Sequence, residues 1–380
     1  MALRVAPAES HAERESVYRL RYEIYVRELE LPTPEADHRW RRLSDPLDEH
    51  ARSFVVWDGD EALGCLRVAL LRDLPDPVPV LRKLRALPAQ LRFGSRSICL
   101  TSRFMLHERV RQSRAVLALM RAAYDYARNN GVRLNFGDCT AHQLPFYQHL
   151  GFRSYEAGFN DPAYGFKLPL VMLLGDREGF EAQGTPLGRV VSDYPDDPEV
   201  RSWFASVWGH SPYAETAAGT EGAGLRAILR RRFGEEPSTA SPVLAGLAVK
   251  EVELLLSRST LFRVREGDRI TRRGEPAQSV LLLVSGEAGL LGEGNGMRSV
   301  QIGDPIGLGE SFWNGRREAT VVAASSGEVL AIPGELIEAL KRRAPDTLGR
   351  LRENLVNFGA RQHSTHWPMS TATAAASGAG

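Results

Sequence analysis

Between residue 177 and about residue 240 the sequence loses the regular apolar spacing it shows on either side, and this break restricts the chain to two separate cores. Gly, Pro, Ser and Thr cluster in the break around two helical pieces, 197–208 and 224–233. The expected division is a first domain over 1–176, a connector with short helices over 177–240, and a second domain over 241–362. A disordered tail rich in Ala, Ser, Thr and Gly follows over 363–380. With 380 residues, 43% of them apolar and 25% charged, each half is large enough to bury a core.

The two halves read differently. In the first, 11–30 is a charged segment with Val17, Leu20, Ile24 and Leu29 broadly at helical spacing. Strands are predicted over 53–57 and 62–71, around the turn Asp58-Gly-Asp60, and over 97–105. A helix follows over 115–130, with Ser113 as its cap and Gly131 as its stop, then a strand over 134–137 and a short helix over 143–150. Antiparallel strands followed by strand–helix–strand–helix give an α+β class, a mixed sheet with flanking helices. In the second half an amphipathic segment, 247–256, precedes short β segments punctuated by Gly267, Gly274 and Gly286. One helical run over 335–358 closes it.

Composition removes several function classes. A formal net charge of +1 lacks the basic excess of a nucleic-acid binder. Apolar runs such as Ser279-Val-Leu-Leu-Leu-Val-Ser285 are strand-length, short of the roughly 20 residues a membrane span needs. The N-terminus shows no apolar signal core. Cys65, Cys99 and Cys139 are odd in number and far apart, so they read as buried thiols rather than a disulfide framework. The expectation is a reduced, cytoplasmic protein with no metal and no integral membrane association.

The segment Pro145-Phe-Tyr-Gln-His-Leu-Gly-Phe-Arg153, placed after a long helix and a strand, resembles the signature near the end of GNAT-fold acyltransferases. Four further motifs narrow the resemblance: Arg21 with Tyr25, Asp45-Pro-Leu-Asp48, Gly64-Cys-Leu-Arg67 and Ser102-Arg103-Phe104. Their order and spacing are similar to those of acyl-homoserine lactone synthases and the related N-acyl amino acid synthases, over roughly 14–175.

This resemblance implies an acyl group moving from a coenzyme A or acyl-carrier-protein thioester to an amine, an amino acid or a similar small molecule. It implies that Asp45 and Asp48 bind the ammonium or take its proton, while Arg21, Arg67 and Arg103 clamp its carboxylate or order the loop. Asp48 and Arg103 are then the catalytic candidates of this set. Tyr147 would protonate the thiolate leaving group, and His142, with a near-neutral pKa, would carry a proton. The bland alternative is a structural ion pair for each charged residue and packing for Tyr147. Two departures stand out. Leu100 replaces the Glu that the lactone synthases carry three residues before the second Arg, and Arg109-Val-Arg-Gln-Ser-Arg-Ala115 has no glycine where the GNAT phosphate loop does. Donor phosphate then falls to the following helix N-terminus and to Arg109, Arg111 and Arg114.

From Ala245 onward, Arg265-Glu-Gly-Asp-Arg-Ile270, Arg273-Gly-Glu-Pro276, Val280-Leu-Leu-Leu-Val-Ser-Gly-Glu287 and Arg317-Glu-Ala-Thr-Val321 resemble the cyclic-nucleotide-binding family. That resemblance implies a jelly-roll-like β-roll and a cyclic nucleotide as regulator. Gly307, Arg317 and Thr320 would belong to the nucleotide pocket, with Arg317 on the phosphate and Glu310 on the ribose. In the gapless frame Leu308 stands where the family has its ribose-binding Glu. No helix-turn-helix follows, so a DNA-binding activator is not expected. Two other readings stay open: a cyclic-nucleotide-controlled protein-lysine acetyltransferase, and a catalytically inactive signalling or scaffold protein.

Overall fold

The computed structural model describes residues 3–111, 113–209, 214–216, 222–291, 297–307 and 315–364. The tail from residue 365, and with it most of the stretch expected to be disordered, lies outside these residues.

The first domain rests on one eight-stranded sheet. Its strands are β1 (Arg4–Pro7), β2 (Arg52–Asp58), β3 (Glu61–Leu70), β4 (Ile98–Leu106), β5 (Leu134–Cys139), β6 (Arg153–Ser154), β7 (Phe159–Asp161) and β8 (Gly165–Leu173). The spatial order is β1-β2-β3-β4-β5-β8-β6, with β7 paired to β8. β4 and β5 run parallel, through Ile98–Leu134, Cys99–Asn135 and Leu100–Phe136, and the other pairs are antiparallel. A parallel pair needs a crossover, and a helix supplies it here.

Helix α1 (His11–Tyr22) starts at Ser10, whose hydroxyl accepts from Glu13 N at 3.2 Å while the Glu13 carboxylate accepts from Ser10 N at 2.9 Å. The helix predicted over 11–30 does not continue as an α-helix. Glu23–Glu28 widens into a π-turn, with Leu29 N bonded to Ile24 O. The crossover is α2 (Ala115–Asn129), which buries Leu119, Met120, Ala123, Tyr124 and Ala127 against the sheet. Arg114 occupies its N-cap, one residue after Ser113, although the Ser113 hydroxyl accepts from Ala115 N at 3.1 Å. α3 (Leu144–His149) carries the aromatic motif. α4 (Pro198–Trp208) packs Val200, Phe204 and Trp208 on the far face of the sheet, beside Tyr155 and Phe136. Phe180, Leu187, Val190 and Val191 join the near face. Much of the segment expected as a connector therefore contributes to the first core.

The second domain is an antiparallel β-roll of two four-stranded sheets. One is ordered β9 (Ala214–Thr216), β10 (Thr260–Val264), β16 (Gly327–Pro333), β12 (Ser279–Ser285). The other is ordered β11 (Arg269–Thr271), β15 (Thr320–Ala323), β13 (Ala288–Leu291), β14 (Met297–Val300). Gly286 turns β12 into β13 at φ 82°, and a Cβ there would lie 2.7 Å from Gly327 Cα, so only glycine fits. Helices α5 (Ala223–Phe233), α6 (Val249–Leu256), α7 (Gly334–Arg343) and α8 (Pro345–Ser364) cover one sheet, burying Leu229, Leu255, Ile337 and Leu351 on Val280 and Leu330. The single run predicted over 335–358 is two helices. Pro345 excludes the helical conformation at Ala344, which adopts φ −155° and ψ 67°.

The two domains share one apolar cluster: Phe166 and Leu168 of β8 pack with Phe262, Ile270 and Leu281 of the roll, the Phe166 and Phe262 rings 5.4 Å apart. Cys65, Cys99 and Cys139 are buried and unpaired. Among the described residues no helix is long and apolar enough to cross a membrane.

Candidate active site

The four motifs of the first domain converge because β3 and β4 are neighbours, with Arg67 opposite Ser102. The register shifts between Cys65 and Arg67, and Arg103 takes a left-handed conformation, φ 54°. A non-glycine residue there costs about 1–3 kcal/mol, so its surroundings must hold it. They do. Arg103 donates to Asp45 Oδ2 through Nη2 at 2.7 Å and to the Tyr164 hydroxyl through Nη1 at 2.6 Å, and the Cys65 thiol bonds its carbonyl at 3.3 Å. Tyr25, on the π-turn, places its ring centroid 5.2 Å from the same guanidinium.

Asp45 and Asp48 owe their spacing to a reciprocal cap. Asp45 heads the short helical turn Pro46–His50, accepting from Leu47 N at 3.0 Å, and Asp48 accepts from Asp45 N at 2.9 Å. Their remaining lone pairs meet arginines. Asp48 takes Arg21 Nη1 on both oxygens, at 2.7 and 2.8 Å, and Arg67 Nη1 at 2.9 Å. Asp45 takes Arg67 Nη1 at 2.6 Å besides Arg103. Arg21 also reaches Ser53 Oγ, and Arg67 reaches Ser102 Oγ.

Arg21 is fully buried and Arg67 nearly so. Burial alone would raise the Asp45 pKa, but Arg67 and Arg103 outweigh it and hold the carboxyl well below its usual range. The cluster sums to three guanidiniums against two carboxylates, a surplus of one buried positive charge. Both carboxylates are saturated with donors, so neither has a lone pair left to take an ammonium proton. Leu100 packs in the apolar core and supplies no base.

Beyond Leu100 and Phe136 the parallel strands part, leaving the edge of β4 that faces β5 without a strand partner among the described residues from Thr101 on. Gly137 permits the close approach at the fork: a Cβ there would sit 3.0 Å from Thr101 O. On the outer side of the fork Phe104 stacks on Phe146 at 5.7 Å and meets Tyr147 at 6.3 Å. Burial pushes the Tyr147 phenol well above its ordinary pKa, so it stays protonated.

His142 departs from its expected role. Burial first, then the nearby charges of Lys167 and Arg317, push it down to about 3, so it is neutral at pH 7 and a poor proton carrier. Its Nε2 lies 3.3 Å from Thr140 Oγ1. Asp138 sits 3.6 Å from Lys167 and 3.8 Å from Lys83.

The three donor-phosphate arginines are not equivalent. Arg109 pairs with Asp58 and Glu61 at 2.8 Å each, and Arg111 pairs with Glu28 and Leu106 O. Arg114 is exposed beside the N-terminus of α2.

In the roll, Arg317 is 5% exposed. Its Nη2 donates to Ser279 Oγ at 3.2 Å, while Nε and Nη1 have no partner among the described residues. Burial pushes its pKa down to about 10, against the pull of Glu275. Thr320 Oγ1 accepts from Arg273 N at 3.0 Å, and Gly307 turns at φ 63°. Glu310 and Leu308 lie outside the described residues. Sequence reasoning missed Tyr164, Ser53 and Ser102; only Ser102 carried a signal, as part of its motif.

Residues 16–174 match the family model of N-acyl amino acid synthase FeeM, and residues 261–344 match that of the cyclic nucleotide-binding domain. The first half of the chain is thus similar to N-acyl amino acid synthases and the second half to cyclic nucleotide-binding domains. Among solved structures, FeeM from uncultured soil microbes is similar at 13% identity and a TM-score of 0.40, over 50% of this chain and 97% of that one. The acyl-homoserine lactone synthase LasI is similar at 15% identity and 0.38, over 48% and 96%. The Thermus thermophilus catabolite activator protein is similar at 31% identity and 0.28, over 32% of this chain and 58% of that one. No curated protein sequence matches the chain. The span matched in the first domain contains all four motifs and Tyr147.

Proposed function

We propose that this protein is an N-acyltransferase that moves an acyl group from a coenzyme A or acyl-carrier-protein thioester to the amine of an amino-acid-like acceptor, in the cytoplasm, under the influence of its cyclic nucleotide-binding-type domain. The observation that carries the reading is the net positive charge of the buried cluster, three guanidiniums against two carboxylates, with Arg103 as its member next to the fork between β4 and β5. A buried cluster with one positive charge uncompensated is costly, and the carboxylate of an amino acid is the anion that would balance it. The family matched by residues 16–174 bears the name of N-acyl amino acid synthesis, which supports the same acceptor class.

The reaction needs few groups. The donor thioester lies in the fork, its carbonyl oxygen toward the backbone N–H groups on the edge of β4 that parts from β5 beyond Leu100, which stabilise the developing oxyanion. The neutral amine attacks, the C–N bond forms and the C–S bond breaks. Tyr147, kept protonated by its surroundings, gives its proton to the departing sulfur and recovers one from the amine through water. Asp45 and Asp48 order the arginines and take no proton themselves. In the roll, the unpartnered Nε and Nη1 of Arg317 suit a phosphate, which makes a cyclic nucleotide the ligand class we assign there.

The test is thiol release by the purified full chain, given acyl-CoA or acyl-carrier-protein thioesters and a panel of amino acids. Release that depends on an amino acid is the expected result. Release from acetyl-CoA that requires a protein lysine substrate would identify a protein-lysine acetyltransferase instead. No release from any thioester would identify an inactive signalling or scaffold protein.

A further inference from the structure

We propose that Tyr164 is a positioning residue for Arg103 and that the β-roll sets its place, so that a phosphate-bearing ligand entering beside Arg317 alters how Arg103 meets the acceptor. The last step rests on the acceptor role given to Arg103 above; the mechanical part does not. Tyr164 stands in the turn between β7 and β8. Its hydroxyl accepts from Arg103 Nη1 at 2.6 Å, and its ring centroid is 5.7 Å from the guanidinium. Asp161 Oδ1 stiffens the turn by accepting from Ala163 N at 3.0 Å and Tyr164 N at 3.1 Å.

The β-roll grips the same hairpin. The Asn160 side chain donates to Arg269 O at 2.7 Å and accepts from Arg269 N at 2.9 Å, as a backbone partner would, and Arg272 Nη1 donates to Pro162 O at 3.0 Å. The hairpin that orients Arg103 is therefore hydrogen-bonded to the roll through three contacts.

Between hairpin and roll lies a cavity with Ala163, Tyr164 and Gly165 on one wall and Glu275, Ser279 and Arg317 on the other. Two guanidinium nitrogens of Arg317, Nε and Nη1, are buried along it without partners among the described residues. Leaving charged donors unmade in a buried place is unfavourable, and Glu275 acts on Arg317 through its charge without bonding Nε or Nη1, so an anion that bonds them is favoured here. Its volume is 90 Å³, room for waters but far below the roughly 300 Å³ at which small-molecule sites begin. Among the described residues the hairpin forms the wall of this cavity opposite Arg317, so a phosphate ester carrying a sugar and a base that enters here displaces it. Withdrawal takes the Tyr164 hydroxyl off Arg103 and frees Nη1 for the acceptor carboxylate. One hydrogen bond gained there corresponds to a roughly three- to tenfold lower acceptor KM.

The experiment is hydrogen–deuterium exchange on the full chain, with cyclic AMP raised to millimolar concentration as the probe. Exchange over 159–166 should rise severalfold in the wild type and stay flat in Arg317→Ala and Arg317→Lys, with exchange elsewhere reporting that both variants are folded. Without cyclic AMP, Tyr164→Phe should show the acceptor KM that the wild type reaches only with it, at similar kcat. The proposal is overturned if cyclic AMP does not bind the full chain, or if it binds and leaves 159–166 unchanged. It is equally overturned if the response survives Arg317→Ala, or if Tyr164→Phe keeps the ligand-free KM. An exchange response in a chain that transfers no acyl group supports the mechanical coupling and defeats only the acyltransferase reading.

Discussion

Replacing Asp48 by Asn is the substitution that most sharply separates a chemical role from a structural one. Its carboxylate, with a side chain 5% exposed, accepts four hydrogen bonds, two from Arg21, one from Arg67 and one from Asp45 N. Asparagine keeps one oxygen and turns an NH2 toward groups that are themselves donors. Arg21, with no exposed surface, then loses its carboxylate partner. Breaking a buried ion pair by removing one member costs about 3–5 kcal/mol. In a domain of this size each kcal/mol moves Tm by about 2–4 °C, so the first domain of Asp48→Asn should melt roughly 6–20 °C earlier. Differential scanning calorimetry of the full chain reads the shift directly. The double variant Arg21→Met with Asp48→Leu, which replaces the pair by apolar groups, should recover much of the loss. A single variant that melts within about 2 °C of the wild type and yet loses turnover would contradict this structural role and place Asp48 in the chemistry.

Three other expectations follow from the same geometry. His142 is held neutral in the fold with its pKa near 3 but titrates normally when unfolded, so the unfolded chain binds an extra proton below about pH 6.5. Its contribution to stability is complete above that pH and falls by about 1.4 kcal/mol per unit as the pH drops toward 3; His142→Gln should remove this slope in urea unfolding at pH 5 and 7, and parallel behaviour of the two proteins would contradict it. Tyr147→Phe should lower kcat on the order of a hundredfold with little change in donor KM, whereas an unchanged kcat would reduce Tyr147 to packing. Arg111→Ala with Arg114→Ala should raise the donor KM well beyond the acceptor KM in steady-state kinetics, and unchanged donor kinetics would take this turn out of the site.

The motifs of the first domain were legible because each is local: a cap at Asp45 and Asp48, and two neighbouring strands that bring Arg67 opposite Ser102. The saturation of both carboxylates was not, since it depends on which donors the fold crowds around them. The left-handed backbone of Arg103 carries no sequence signal, because an arginine is not the residue that usually marks such a turn. Tyr164 is 61 residues from Arg103 and reaches it only through the β7–β8 hairpin. The downward shift of the His142 pKa comes in part from Arg317, in the other domain. The packing of α4 was hidden because the helix sits among Gly and Pro clusters, and its burial is visible only once Trp208 meets Tyr155, 4.8 Å between ring centroids. The break at Pro345, in contrast, follows from local sterics that the sequence already contains.

The most direct measurement of the central claim is mass spectrometry of extracts from cells expressing the wild-type chain beside cells expressing Tyr147→Phe. N-acylated amino acids are expected in the first and their strong depletion in the second, at equal levels of folded protein. Acetylated protein lysines without acyl amino acids, or neither product in either strain, would contradict it.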